Sequence, residues 1–233
     1  MKKYRDLLFD VDNTLLNFDL AEHDAMIDAL NAFSFPATEE VITTYSDIND
    51  RYWKMLERGE ITREKLLSRR FDELGRTYGW ERMDGALFDR TYRAALAKKS
   101  YLMDGALETC RALAGKYRLS AITNGNTSVQ QGRFFPSPLA PLFSHCFISE
   151  EMGCAKPSEA YFALVRAALP DLEPSETLVV GDSLSSDIAG GVRWGTDTCR
   201  FCPHGIAHAR VAPSDLTPTY TIEHLGELLD ILL

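Results

Sequence analysis

No apolar run in this 233-residue sequence is long enough to cross a bilayer, and the opening Met1-Lys2-Lys3-Tyr4-Arg5-Asp6 lacks the apolar centre of a secretory leader. A cytoplasmic protein without a membrane partner is therefore the expectation. Cysteine is sparse: five residues, an odd number at irregular spacing, exclude a disulfide framework as the basis of the fold and suggest reduced thiols. Positive charge is also short, with 25 Lys and Arg against 34 Asp and Glu and a formal net charge of −9. That balance argues against a nucleic-acid polymer or an anionic lipid surface as partner, though it does not forbid a local positive site. Internal repeats, low-complexity tracts and heptad runs are absent. What remains is an ordinary globular composition, 45% apolar, at a length suited to one large domain or a core with a smaller insertion.

The pattern along the chain changes character three times. Leu7-Leu8-Phe9 reads as a buried first strand of a parallel sheet, and it runs directly into Asp10-Val11-Asp12-Asn13-Thr14. From there to about residue 100 the spacing is helical: residues 21–33, a second helix opening near Thr38 after Pro36 and running to Leu56, a third opening at Thr62 with Leu66, Leu67, Phe71 and Leu74 on one face and ending at Gly75 and Gly79, and a fourth over 87–96. So long a helical stretch without a strand predicts a separate layer. Strands and helices then alternate: helix 106–114, strand 118–122, strand 145–148, helix 158–169, strand 177–180, helix 186–192, strands 198–202 and 219–222, and a closing helix 225–232. The three prolines in residues 132–141 make that stretch the least regular, and it reads as a surface connection. The expected fold is α/β: a Rossmann-like, doubly wound parallel sheet over residues 1–16 and 101–233, with an all-helical cap inserted over 17–100.

Polar residues collect at the predicted carboxyl ends of the strands, where open α/β sheets bind ligands. If the chain stays extended from Asp10 to Asp12, both carboxylates face the same side. Crowded carboxylates call for a cation, a shared proton, or both, although an ordinary strand-to-loop junction carries such residues too. Thr123 and Asn124 follow the second strand, Lys156 follows the third, and Asp182 with Asp187 follows the fourth. Carboxylates, one lysine and a hydroxyl at one rim are what phosphoryl transfer with magnesium needs: Mg2+ takes oxygen ligands from one or two carboxylates plus substrate phosphate, for which Asp10 and Asp182 are candidates. Lys156 and Thr123 suit the charge that spreads over the transferred group. A carboxylate can attack phosphorus while a second one moves the proton, which assigns Asp10 as nucleophile and Asp12 as general acid/base.

Asp10-Val11-Asp12-Asn13-Thr14, Ile122-Thr123-Asn124-Gly125, Ala155-Lys156-Pro157 and Gly181-Asp182-Ser183 through Asp187 together resemble the four ordered motifs of the haloacid dehalogenase-like (HAD) hydrolase superfamily, and the helical block resembles its mobile cap. Within it, Ile148 to Pro157, Val180 to Gly191 and the cap segment Leu56 to Glu64 resemble the pyrimidine 5′-nucleotidase branch, which dephosphorylates nucleoside monophosphates. The resemblance implies that the backbone carbonyl of Asp12 joins Asp10 and Asp182 around magnesium, that Asp187 belongs to an acidic shell near Lys156, and that Thr123, Asn124 and Lys156 bind phosphate. It also implies a small-molecule phosphomonoester as partner. Competing readings are a phosphatase of another small metabolite, such as a sugar phosphate or phosphoglycolate, and a catalytically silent regulatory or binding protein on the same fold. A dehalogenase fits less well, because that chemistry resembles a motif without the second acid, and Asp12 is present.

Specificity is expected in the cap, with Asn49, Trp53 and Arg69 as candidate contacts, although aromatics there commonly pack helices and arginines are commonly solvated. Cys199 and Cys202 with His204 and His208 mimic a zinc spacing. Two cysteines three positions apart on a strand point to opposite faces, and Cys199 is expected in the core instead.

Overall fold

The computed structural model describes residues 4–203 and 216–233. The chain divides into two compact units, one of residues 1–18 and 100–233, the other Asp19–Lys99. The second is helical: α1 (Phe18–Ala32, beginning at the boundary), α2 (Glu39–Glu57), α3 (Arg63–Thr77) and α4 (Gly85–Leu96). Side chains receive the first-turn amides at these starts: Asn13 Oδ1 accepts from Phe18 N at 2.9 Å, and Thr38, Thr62 and Asp84 cap α2, α3 and α4. Inside, Tyr45 stacks on Phe71 at 5.0 Å and Phe71 meets Phe88 at 4.9 Å between ring centroids. Helix α3 does not stop at Gly75: it runs on to Thr77, and Gly79 lies beyond it.

The other unit is built on a six-stranded, all-parallel sheet in the order β3-β2-β1-β4-β5-β6. Its strands are β1 (Asp6–Asp10), β2 (Arg118–Thr123), β3 (His145–Ile148), β4 (Thr177–Gly181), β5 (Asp197–Phe201) and β6 (Tyr220–Ile222). Its helices are α5 (Ala106–Ala114), α6 (Thr127–Arg133), α7 (Ser149–Met152), α8 (Glu159–Ala168), α9 (Ala189–Trp194) and α10 (Glu227–Leu232). The doubly wound expectation holds, and the reason is visible in β1. Leu7 and Phe9 point into one apolar cluster with Leu119, Ala121, Leu178 and Val180, closed by α5 and α10. Leu8 points the other way, into a cluster with Ile122, Val179 and Tyr161, Phe162 and Val165 of α8. A strand buried on both faces reads as a continuous apolar run.

Two expectations need correction. Residues 132–141 are not a surface connection: Phe134 and Leu139 are buried in the first cluster, and Phe134 packs edge-on against Phe143. Prolines exclude a regular ladder there without excluding burial. Turn contacts such as Ser137 Oγ donating to Phe134 O at 2.6 Å serve the backbone in place of a ladder. The segment following Ser183 is also not one helix but a five-residue π turn, Leu184–Ile188, leading into α9. Cys199 and Cys202 are buried free thiols, Cys199 in the main core, while His204 and His208 lie outside the described residues. No described helix is long and apolar enough to cross a membrane.

Candidate active site

The strand order reverses at β1: the chain moves outward through β2 and β3, then returns to place β4 on the other side of β1. The carboxyl ends of β1 and β4 therefore border the switch-point crevice of the sheet. Asp10 ends β1 and is 7% exposed, Thr123 ends β2, and Gly181 of β4 leads into Asp182.

Lys156 organises this rim. Its ammonium, 1% exposed, donates to Asp10 Oδ1 at 2.6 Å, to Asp187 Oδ1 at 2.7 Å and to the Ile122 carbonyl at 2.9 Å, which uses all three of its hydrogens. Burial by itself would push its pKa down; Asp10 and Asp187 more than offset that and hold it above the ordinary lysine value. The Asn124 carboxamide clips the lysine's main chain in place, donating to Lys156 O and accepting from Lys156 N, each at 2.9 Å. The side chain expected to bind phosphate thus has a positioning job. Thr123 Oγ1 accepts from Gly125 N at 2.9 Å and from Gln130 Nε2 at 3.3 Å, which leaves its own proton to donate.

The acidic cluster is Asp10, Asp182 and Asp187, with one oxygen from each lying within 4.8 Å of the others. Burial, opposed by the Lys156 ammonium and reinforced by the charges of Asp187 and Asp182, holds the Asp10 carboxyl well above its ordinary pKa. One ammonium among three carboxylates leaves a surplus of negative charge equal to that of a divalent cation, and the donor set is all oxygen. These residues fit a hard cation such as Mg2+. Asp187 reaches the cluster because residue 181 is glycine: a Cβ there would fall 2.3 Å from Asp187 Oδ2. Ser183 N also donates to that oxygen at 3.1 Å.

Asp12 lies just past the regular strand, which ends at Asp10, and is followed by Asn13, whose backbone is left-handed with φ of 61°. Its carboxylate is held by Gln130 Nε2, 2.7 Å from Oδ2, and by the Arg133 guanidinium on Oδ1. Both α6 residues are fully buried. Neither was singled out from the sequence, although glutamine and arginine three positions apart after a strand-end motif share one helix face, which was the available signal.

The remaining candidates belong to the helical unit. Asn49 is buried, its amide donating to Glu22 at 2.7 Å and accepting from Arg70 at 2.6 Å. Trp53 is half-buried with the Arg63 guanidinium 5.4 Å from its ring, and Arg69 is exposed. Its neighbour Arg70 is the buried one, paired with Asp89 at 2.8 Å.

The profile of haloacid dehalogenase-like hydrolases matches residues 5–195, spanning every one of these strand-end residues. The chain belongs to that family. This HAD hydrolase is 38% identical to the HAD-hydrolase YfnB of Bacillus subtilis over all of its own length and 97% of the relative's. A crystal structure of YfnB bound to magnesium superposes with a TM-score of 0.93 at 38% identity, covering 99% of each chain. The HAD hydrolase is also 34% identical to the pyrimidine 5′-nucleotidase PynA of Streptococcus pneumoniae, over 98% of its length and 95% of the relative's. With the pyrimidine 5′-nucleotidase YjjG of Escherichia coli the identity is 33%, over 99% and 98%.

Proposed function

We propose that this HAD hydrolase is a magnesium-dependent phosphomonoesterase acting through an aspartyl-phosphate, with nucleoside 5′-monophosphates, pyrimidines preferred, as substrates. The observation that carries the substrate is the full-length similarity to two pyrimidine 5′-nucleotidases. What supports the chemistry is the acidic cluster around Lys156.

Asp10 is the nucleophile: its carboxylate forms the bond to phosphorus as the bond to the ester oxygen breaks. Asp12 gives its proton to that oxygen, so the nucleoside leaves as an alcohol, and then takes a proton from the water that attacks the aspartyl-phosphate. Inorganic phosphate and the free Asp10 carboxylate are the products of the second half. Thr123 donates its hydroxyl to a phosphate oxygen, and Lys156 contributes positive charge while holding Asp10 in place. Asp10 and Asp182 would hold Mg2+, joined by the Asp12 carbonyl, with Asp187 in the acidic shell behind them. The ion supplies charge neutralisation for the incoming phosphate. The helical unit serves as the cap, in which Asn49, Trp53 and Arg69 are the residues to vary for specificity.

Catalytic efficiencies for UMP, dTMP, AMP, ribose 5-phosphate and phosphoglycolate, measured with and without chelator, test this reading. We expect the pyrimidine nucleotides to lead by about tenfold or more, a discrimination of the size that pocket contacts supply, and turnover to cease in chelator. A lead for the sugar phosphate or the glycolate would replace the substrate, and undiminished turnover in chelator would remove the metal.

A further inference from the structure

We propose that Gln130 and Arg133 are positioning residues for proton transfer: they fix the Asp12 carboxyl where it serves the leaving oxygen. This rests on the phosphatase reading above, in which Asp12 moves the proton. Asp12 sits just past the end of β1, next to a left-handed residue, and its side chain is 24% exposed. A short carboxylate in such a turn would sample several rotamers. Here each oxygen has its own donor, Gln130 Nε2 on Oδ2 and the Arg133 guanidinium on Oδ1, and two bonds to two oxygens fix the plane of the group as well as its direction.

The support is itself built. Arg133 has no exposed surface, its guanidinium lies 5.4 Å from the centre of the Phe18 ring, and its carbonyl accepts from Ser100 Oγ at 2.7 Å. Gln130 is equally buried and bridges Asp12 to Thr123 Oγ1, the hydroxyl assigned to phosphate. Gly125 makes room for it: a Cβ at that position would stand 2.5 Å from Gln130 Nε2. Helix α6 therefore couples the place where phosphate is bound to the place from which the proton comes. Burying an arginine to brace a half-exposed aspartate is costly for stability alone, because desolvation works against the pair. Proton transfer gives the bracing a function, since a misplacement of about 1 Å at a reacting group can cost about 10²-fold in rate.

The test uses leaving groups that differ in their need for a proton. The p-nitrophenolate of p-nitrophenyl phosphate departs without one, whereas the 5′-alkoxide of UMP requires it. In Gln130→Met and Arg133→Met, we expect kcat for UMP to fall by about 10²-fold with KM within threefold. With p-nitrophenyl phosphate, a burst of p-nitrophenolate stoichiometric with enzyme should persist, followed by slow turnover, because only the second step then lacks its base. Arg133→Lys should restore part of the UMP rate. Should Arg133→Met fail to fold, Gln130→Met carries the test by itself, since it removes the donor to Asp12 Oδ2 and leaves Arg133 in place. Asp12→Asn is the reference. If it shows the burst pattern while the variants lose both substrates in proportion, or lose neither, the positioning role is wrong. If Asp12→Asn turns over UMP at the wild-type rate, the phosphatase reading of Asp12 falls instead.

Discussion

Asp10 shows most directly how function and stability oppose each other at a single residue. It is buried beside two further carboxylates with one ammonium among them, and its pKa is driven upward by burial. Asp10→Asn removes a negative charge yet keeps an acceptor for Lys156. Hydrolysis of nucleotide and aryl phosphates is expected to fall by at least about 10³-fold. The thermal midpoint measured in chelator should be equal to or higher than that of the wild type, because the variant relieves repulsion maintained for activity. Activity within tenfold of the wild type would remove Asp10 as nucleophile, and a midpoint lowered by several degrees would contradict the charge argument. Asp10 and Asp182 stood out in the sequence because each sits at the end of an apolar strand run, and Lys156 and Asp187, farther from their strands, through their place in the ordered motif set. Arg133 was not: an arginine just after a glycine and just before a proline-rich stretch has the composition of a solvated loop, and only the tertiary structure shows it fully buried.

At the scale of elements, four helices are tied together by one polar chain. Glu22 of α1 accepts from Ser46 Oγ at 2.6 Å and from Asn49 at 2.7 Å, both on α2; Asn49 accepts from Arg70 of α3; Arg70 pairs with Asp89 of α4, which Arg93 also reaches at 2.7 Å. Helical periodicity predicted these elements well, since apolar spacing locates a buried stripe. It could not say which polar residue interrupts the stripe: one position along a helix is a rotation of about 100°, and that turn separates exposed Arg69 from buried Arg70. Residues 132–141 illustrate the converse, where turn residues concealed two buried apolar side chains, Phe134 and Leu139.

The chain's weak point is Glu22. Burial raises its carboxyl to about 7, against the pull of Ser46, Arg70 and Asn49 and with a small push from Asp19. Folded protein therefore holds the proton over a range where the unfolded chain, near 4.5, has lost it. Stability falls as pH rises from about 4.5 to about 7, by roughly 3 kcal/mol in total, and levels off above. Glu22→Gln has no proton to lose over this range. Urea midpoints of the two proteins followed from pH 5 to pH 8 should diverge in favour of the variant as pH rises, most steeply below pH 7. Parallel profiles would show that Glu22 ionises in the folded state as it does in the unfolded one.

For the whole molecule, the sequence order matters as much as the packing. The α/β unit is interrupted after its first strand, yet among the described residues the two apolar clusters that flank its sheet draw on residues from both sides of the interruption, such as Leu7 and Phe9 with Leu119 and Leu178, and Leu8 with Ile122 and Val179. The two crossings are joined within that unit: Asn17 N donates to Tyr101 O at 2.9 Å, Met103 N to Leu15 O at 2.9 Å, and Leu16 pairs with Leu102. A chain whose ends are hydrogen-bonded to each other can be closed by a short loop at little entropic cost. Replacing Asp19–Lys99 with a short Gly-Ser linker should therefore leave a core that melts cooperatively and whose midpoint rises with added Mg2+, since Asp10, Asp182 and Asp187 all remain. If the helical unit sets the substrate, this core should hydrolyse p-nitrophenyl phosphate while its UMP-to-AMP ratio of catalytic efficiencies falls to within about threefold of unity, the loss of roughly 1–3 kcal/mol of pocket discrimination. An undiminished ratio would move specificity into the α/β unit, and the search for base contacts would then begin at the loops around Thr123 and Ser183 instead of at Asn49 and Trp53.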